Sequence, residues 1–173
     1  MQINFYPESD NLDFEKSAKE YKEIWKQEGQ RITEAIEKIS GLKFKEKIIN
    51  AVISAKTSYS RPLQLQSSLQ FNIKKGGIVH ELCHRILVAN RINWGELPED
   101  SFEWNIAIHK PVMLILYDIW TELYGEDFAK ENVAYESTPQ KEEKITPYKV
   151  VWDWALAMTK EKRHEEFLKY LSK

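Results

Sequence analysis

The sequence predicts an α+β fold, in which a small, mainly antiparallel sheet accompanies four or five helices. Two short runs, residues 2–6 and 63–70, alternate polar and apolar side chains, and residues 47–57 are rich in strand-forming residues. Longer segments repeat apolar residues at helical spacing, most clearly between residues 10 and 40. The chain of 173 residues has the size of one ordinary domain, so we expect a single domain over residues 1–173.

The first predicted strand, residues 2–6, ends at Pro7, and a long helix follows it. Ser9 or Asp10 is the expected N-cap, and the helix extends to about residue 40, with Gly41 beyond its end. Residues 27–31 interrupt the apolar stripe around Gly29, which predicts a kink or break there. The two strand-like runs after this helix are separated by the turn-like sequence SYSRP, so we expect two or three strands in all.

Helices are predicted to dominate the second half of the chain. We expect one over residues 75–90 and another that starts near residue 102 and is helical over 112–124. Thr146 followed by Pro147 predicts the start of a helix through residue 158, and Thr159 starts the last one. The polar segments 92–101 and 134–146 are typical of loops.

Composition excludes several functional classes. The formal charge of −2 offers no cationic excess for nucleic acid, so we expect no nucleic-acid partner. The most apolar stretch, residues 106–120, is too short and too polar to cross a bilayer, and the first residues lack the pattern of a signal peptide. The single cysteine, Cys83, excludes an internal disulfide and suits a reducing compartment. We therefore expect a cytoplasmic protein without a membrane partner; its oligomeric state is not predicted.

The motif His80-Glu81-Leu82-Cys83-His84 carries the strongest chemical signal. Residues four apart lie on one face of a helix, so His80 and His84 can bind one zinc ion. Glu81 lies at the edge of the same face, where it can act as a general base. The flanking residues are apolar nearly all round, and burying two imidazoles and a carboxylate is costly unless they are paired or bind a metal.

With this motif, the segment GGIVHELCHRIL resembles the zincin metallopeptidases, in which an HExxH helix supplies two zinc ligands and the catalytic glutamate. The resemblance covers about a third of the chain. It implies a single zincin-like domain and a zinc-dependent peptidase that acts on a peptide or protein substrate, with Glu81 activating a zinc-bound water. Gly77 and Arg85 depart from the extended zincin pattern, which prefers Val or Thr at the first position and an uncharged residue at the second.

A catalytic zinc site needs a third protein ligand, and the sequence leaves several candidates. His109 is preferred because it lies in an otherwise apolar stretch, and Pro111 places it in the first turn of the following helix. Glu103 is the runner-up, since its spacing from His84 resembles that of the gluzincin aminopeptidases. Asp118 and Glu122 are further alternatives, and Asp118 could instead orient a zinc-bound histidine.

The other chemically active residues are assigned smaller roles. Any of four tyrosines could stabilise an oxyanion, and the sequence does not rank them: Tyr117, Tyr124, Tyr135 and Tyr148. We expect Cys83 and the aromatic run at 150–154 to pack in the core, and His164 to lie on the surface. Residues 63–69 could bind an extended peptide if they form an edge strand. The alternative to an enzyme is a non-catalytic zincin-like scaffold that acts in binding or regulation.

Overall fold

The computed structural model describes residues 1–92, 94, 97–99, 101–139 and 145–171. Parts of the predicted loops 92–101 and 134–146 lie outside the described residues. The chain forms two compact units, Met1–Asn90 and Arg91–Lys173. In the described residues there are three strands and six helices, one more than the upper number predicted, and the α+β class is confirmed.

The first unit contains a three-stranded sheet and two helices. Its elements are β1 (Gln2–Pro7), α1 (Leu12–Ser40), β2 (Ile48–Ser54), β3 (Leu63–Gln66) and α2 (Phe71–Ala89). The strand order is β1-β2-β3, and both neighbouring pairs are parallel. The expectation of a mainly antiparallel sheet is therefore wrong.

The connections between strands explain the parallel pairing. Parallel neighbours need a crossover, and helix α1 supplies one between β1 and β2. Residues 55–62 return the chain from the end of β2 to the start of β3, where Leu63 pairs with Ala51. An alternating polar and apolar pattern shows which face of a strand is buried, but it carries no information on strand direction.

Helix α1 is one continuous helix that covers the sheet. Asn11 is its N-cap, and the Asn11 side chain accepts a hydrogen bond from the backbone N–H of Asp13; the prediction of Ser9 or Asp10 is wrong by one or two residues. Gly41 ends the helix with φ of 69°, a left-handed conformation that suits glycine. The helix does not end at Gly29. It packs on β1 and β2, while α2 packs on β3 and on α1.

The second unit consists of four helices in the residues described. They are α3 (Phe102–Tyr124), α4 (Glu126–Ser137), α5 (Pro147–Leu156) and α6 (Lys160–Leu171). Helix α3 contacts each of the other three, and the Trp120 and Trp152 rings, with centroids 5.6 Å apart, join it to α5. Helix α4 was not predicted; it buries only Phe128, Ala129 and Asn132, too few apolar residues for a clear periodic signal.

The predicted starts of α5 and α6 are confirmed. The Thr146 side chain accepts a hydrogen bond from the Lys149 backbone N–H at 2.9 Å, directly before Pro147. The Thr159 hydroxyl accepts one from the Lys162 N–H at 3.3 Å. Among the described helices, none is both long and apolar enough to cross a bilayer.

Candidate functional site

The two histidines of the HExxH motif face each other on helix α2. Their Nε2 atoms are 3.1 Å apart, their ring centroids are 5.0 Å apart, and both side chains are buried. Helix geometry alone brings positions four apart within reach. In addition, the side-chain rotamers of His80 and His84 direct the Nε2 atom of each ring towards the other.

This pair fits the donor geometry of a zinc ion. Two nitrogens bound to one tetrahedral zinc at ~2.0–2.1 Å lie about 3.3 Å from each other. The observed 3.1 Å is close to that separation. A hydrogen bond in which one Nε2–H donates to the other Nε2 gives a similar distance, so the separation fits a metal or a shared proton.

Glu81 and Gly77 form the surroundings of the histidine pair on the same helix. Glu81, the predicted general base, is buried. Gly77 lies about one turn before His80 on the histidine face, and a Cβ built there meets no atom within 4 Å. The helix surface beside the histidines is therefore open at Gly77.

Ion pairs fix the N-terminal half of helix α2 against helix α1. The buried Lys74 ammonium lies 2.5 Å from the Glu20 carboxylate and 5.5 Å from the centre of the Tyr21 ring. Lys75 pairs with Glu28 at 2.8 Å. These pairs fix the orientation of α2 about its own axis, and no sequence pattern predicted them.

Arg85, which departs from the zincin pattern, has a structural partner. Its guanidinium binds the Glu46 carboxylate through two nitrogens, with Nε donating to Oε2 at 3.0 Å, and it also donates to the Ser60 carbonyl. The Asn90 amide donates to the Lys43 carbonyl at 3.0 Å. Arg85 thus anchors the C-terminal half of α2 and the connection before β3, so a charged residue at this position is explained.

His109 lies in the second unit, about two turns into helix α3. The prediction that Pro111 places it in the first turn is wrong, because the helix already starts at Phe102 and continues through the proline. His109 is buried, and its Nδ1 lies 2.6 Å from the Asn105 carbonyl oxygen. A carbonyl only accepts, so Nδ1 carries the hydrogen and the neutral ring has its lone pair on Nε2, the tautomer in which backbone-bonded histidines bind zinc.

The acidic alternatives to His109 are either exposed or bound to an arginine. Glu103 lies exposed in the first turn of α3, where a carboxylate complements the helix dipole, and Glu122 is also exposed. Asp118 is buried and binds Arg163, whose Nη2 donates to Oδ1 at 2.7 Å and whose Nε donates to Oδ2 at 3.4 Å. Both carboxylate oxygens of Asp118 therefore have a cationic partner, which argues against a ligand role.

The four candidate tyrosines differ in their surroundings. The Tyr148 ring packs on His109, with ring centroids 4.3 Å apart. Tyr117 lies under the Arg163 guanidinium, and Tyr124 packs on Phe128. Burial raises the pKa of the Tyr135 phenol, which keeps it protonated at neutral pH. Tyr148 therefore contacts a predicted metal ligand within its own unit.

The predictions for Cys83, His164 and the aromatic run agree with the structure. Cys83 is fully buried and His164 is exposed. In the aromatic run, Val151 and Trp152 are buried, which matches the prediction of core packing.

The predicted peptide-binding edge of β3 is already occupied by this chain. The outward N–H and C=O of Gln64 exchange hydrogen bonds with Tyr59 at 2.8 and 2.9 Å. The Gln66 N–H donates to the Ser58 hydroxyl at 3.1 Å, and its C=O accepts from the Tyr21 hydroxyl at 3.0 Å. Addition of a substrate strand along residues 63–66 is therefore excluded in this conformation.

No family model, no curated protein and no solved structure matches this chain.

Proposed function

We propose that this chain is a zinc-dependent hydrolase, a peptidase of the zincin type, in which His80, His84 and His109 bind the metal. The single observation that carries the proposal is the buried pair of imidazoles whose Nε2 atoms lie 3.1 Å apart. His109 supports it as a third buried histidine able to offer a ring nitrogen, with the tautomer that a ligand needs.

The chain's own residues supply the rest of the chemistry. Zinc bound by these histidines would polarise the scissile carbonyl and lower the pKa of water. Glu81 then takes a proton from the attacking water and passes it to the leaving amine. Tyr148, packed on His109, is the best placed of the four tyrosines to donate a hydrogen bond to the developing oxyanion.

The proposed substrate is a peptide or protein segment. Because the outer edge of β3 is occupied, substrate would approach the histidine face of α2 where Gly77 leaves it open. The free, buried cysteine suits a reducing compartment, and we propose a cytoplasmic location on this ground.

Peptide hydrolysis by the zinc-loaded protein tests this function, with a pool of fluorogenic peptides as substrate. We expect turnover that stops after chelation and returns with zinc. Glu81→Gln should keep the metal and lose activity by a factor on the order of 10²–10⁴, because the general base is removed. His164→Ala, at an exposed position outside the motif, is the matched control and should retain full activity. Full turnover in Glu81→Gln would exclude the mechanism.

A second function, a non-catalytic scaffold, is favoured by one observation. The distance between the two Nε2 atoms also fits a proton shared between the rings, which needs no metal. A scaffold of this kind would purify without zinc, and its stability would not change on chelation.

A further inference from the structure

A cavity within the second unit is not used by the proposed metal chemistry. Its volume is about 420 Å³, within the range of small-molecule sites. Helices α3 to α6 all contribute to its wall, which is lined by Tyr117, Lys130, Val133, Ala134, Leu156 and Arg163. Half of these residues are aliphatic, and the other half carry a phenol or a positive charge.

The polar part of the wall is built around Arg163. Three of the hydrogen bonds of its buried guanidinium go to Asp118 and the Met158 carbonyl, and its face lies over the Tyr117 ring. A guanidinium carries five N–H groups, and the hydrogen bonds to described residues use three of them. The group is held rigidly and needs no reordering on binding, which lowers the entropy cost of binding.

Lys130 provides the second cation. Its ammonium pairs with Glu126 at 2.8 Å, and both side chains are exposed. The hydrogen bond to Glu126 raises the pKa of Lys130, so the side chain is cationic at neutral pH. Exposed pairs of this kind contribute little stability, so a ligand anion can compete with Glu126 for the ammonium.

We propose that this cavity binds a small monocarboxylate with an apolar body. The carboxylate would lie between Lys130 and Arg163, and the apolar body would contact Val133, Ala134 and Leu156. The nearby acids Asp118 and Glu126 balance the charge of the two cations, which disfavours a doubly charged phosphate. An aliphatic wall gives no benefit to an anion without an apolar part.

Calorimetric titration with 3-phenylpropionate tests the proposal, with 3-phenylpropanol and inorganic phosphate as comparison probes. We expect saturable binding of the carboxylate, binding of the alcohol weaker by about tenfold, and no binding of phosphate. Peptides that end in phenylalanine, with a free or an amidated carboxyl group, show whether a chain terminus fits better than a free acid. Preference for either carboxylate source supports the site; equal binding of the alcohol or the amidated peptide contradicts it.

Variants at exposed positions of the wall locate the binding. Lys130→Gln should weaken binding about tenfold, and Glu126→Gln should strengthen it, because the competing carboxylate is gone. Ala134→Trp should abolish binding by filling the cavity. Lys169→Gln is the matched control, since Lys169 is as exposed as Lys130 and also pairs with a glutamate one turn away. Absence of saturable binding, or affinity unchanged in both Lys130→Gln and Ala134→Trp, would overturn the proposal.

Discussion

The two units of this chain each bury a polar cluster, but the clusters are satisfied differently. In the second unit, Asp118 and Arg163 form a two-point ion pair, and the Met158 carbonyl accepts a further hydrogen bond from the guanidinium. In the first unit, His80 and His84 direct the same ring nitrogen at each other. Asp118 and Arg163 have opposite charges and satisfy each other within the chain. Two identical imidazoles, such as those of His80 and His84, need a shared proton or a shared cation.

Because of this difference, the ion pair and the histidine pair should contribute to stability in different ways. A buried ion pair is tied to the fold, because removal of one partner leaves an uncompensated charge. A buried pair of like ligands contributes to stability mainly when a metal binds. A variant of Asp118 or Arg163 should therefore destabilise the protein with or without zinc, whereas zinc should stabilise the protein only while His80 and His84 are both present.

The largest effect on stability is expected at the ion pair. Asp118→Asn leaves the Arg163 charge buried without its counter-ion, which should lower the free energy of unfolding by about 3–5 kcal/mol. Denaturant unfolding with and without zinc measures this loss, which should be the same in both. The double variant Asp118→Leu with Arg163→Met should recover most of it. A loss below ~1 kcal/mol in the single variant would show that the pair is not effectively buried.

The proposed third ligand tests the histidine cluster. His109→Ala should lower zinc affinity by at least about a hundredfold, because even partners of zinc ligands contribute ten- to a hundredfold. Glu103→Ala is the control at the exposed runner-up position, and its affinity should not change. Competition with a chromogenic chelator measures both. The reverse pattern would assign the third ligand to Glu103.

Two helical glycines test whether the histidine face is open. At Gly77 a Cβ meets nothing within 4 Å, so Gly77→Ala should stabilise the protein by about 0.5–1 kcal/mol through helix propensity. At Gly29 a Cβ would lie 2.7 Å from the Trp25 ring. Overpacking in Gly29→Ala should therefore lower the free energy of unfolding by about 1–3 kcal/mol, and the gain in helix propensity should offset part of this loss. Thermal unfolding compares the two, and equal changes in melting temperature would show that the space beside Gly77 is not open.

The smallest effect concerns an ion pair near the surface. Lys43 and the Phe44 backbone N–H lower the pKa of Glu37 from its ordinary value of 4.5. The ionised form of Glu37 is therefore favoured in the folded state. Its contribution to the free energy of unfolding is fully present above pH 4.5 and is lost as the pH falls through the lowered pKa. Glu37→Gln should cost about 0.5–1 kcal/mol at pH 7. Urea unfolding at pH 7 and pH 3 should show the difference shrinking; a constant difference would contradict the assignment.

Local signals predicted much of the fold. Gly41 and the pair Thr146-Pro147 mark helix boundaries because they satisfy backbone groups within a few residues. The positions of His80 and His84 follow from helix geometry in the same way. Their burial followed from the apolar residues that surround the motif.

Three features that no simple sequence pattern specifies were not predicted. The Asp118–Arg163 pair joins residues 45 positions apart, and no local pattern specifies it. The hydrogen bonds between Tyr59 and Gln64 depend on the path of residues 55–62, which also sets the strand direction. Helix α4 buries too few apolar residues for its period to stand out.

Zinc content of the purified protein tests the central claim most directly. Elemental analysis after dialysis should find about one zinc per chain in the wild type, in Glu81→Gln and in His164→Ala, and almost none in His80→Ala or His84→Ala. Circular dichroism shows whether the two ligand variants keep the fold. A wild-type protein that takes up no zinc when supplied with it, or equal zinc in all five proteins, would contradict the assignment of His80 and His84 as metal ligands.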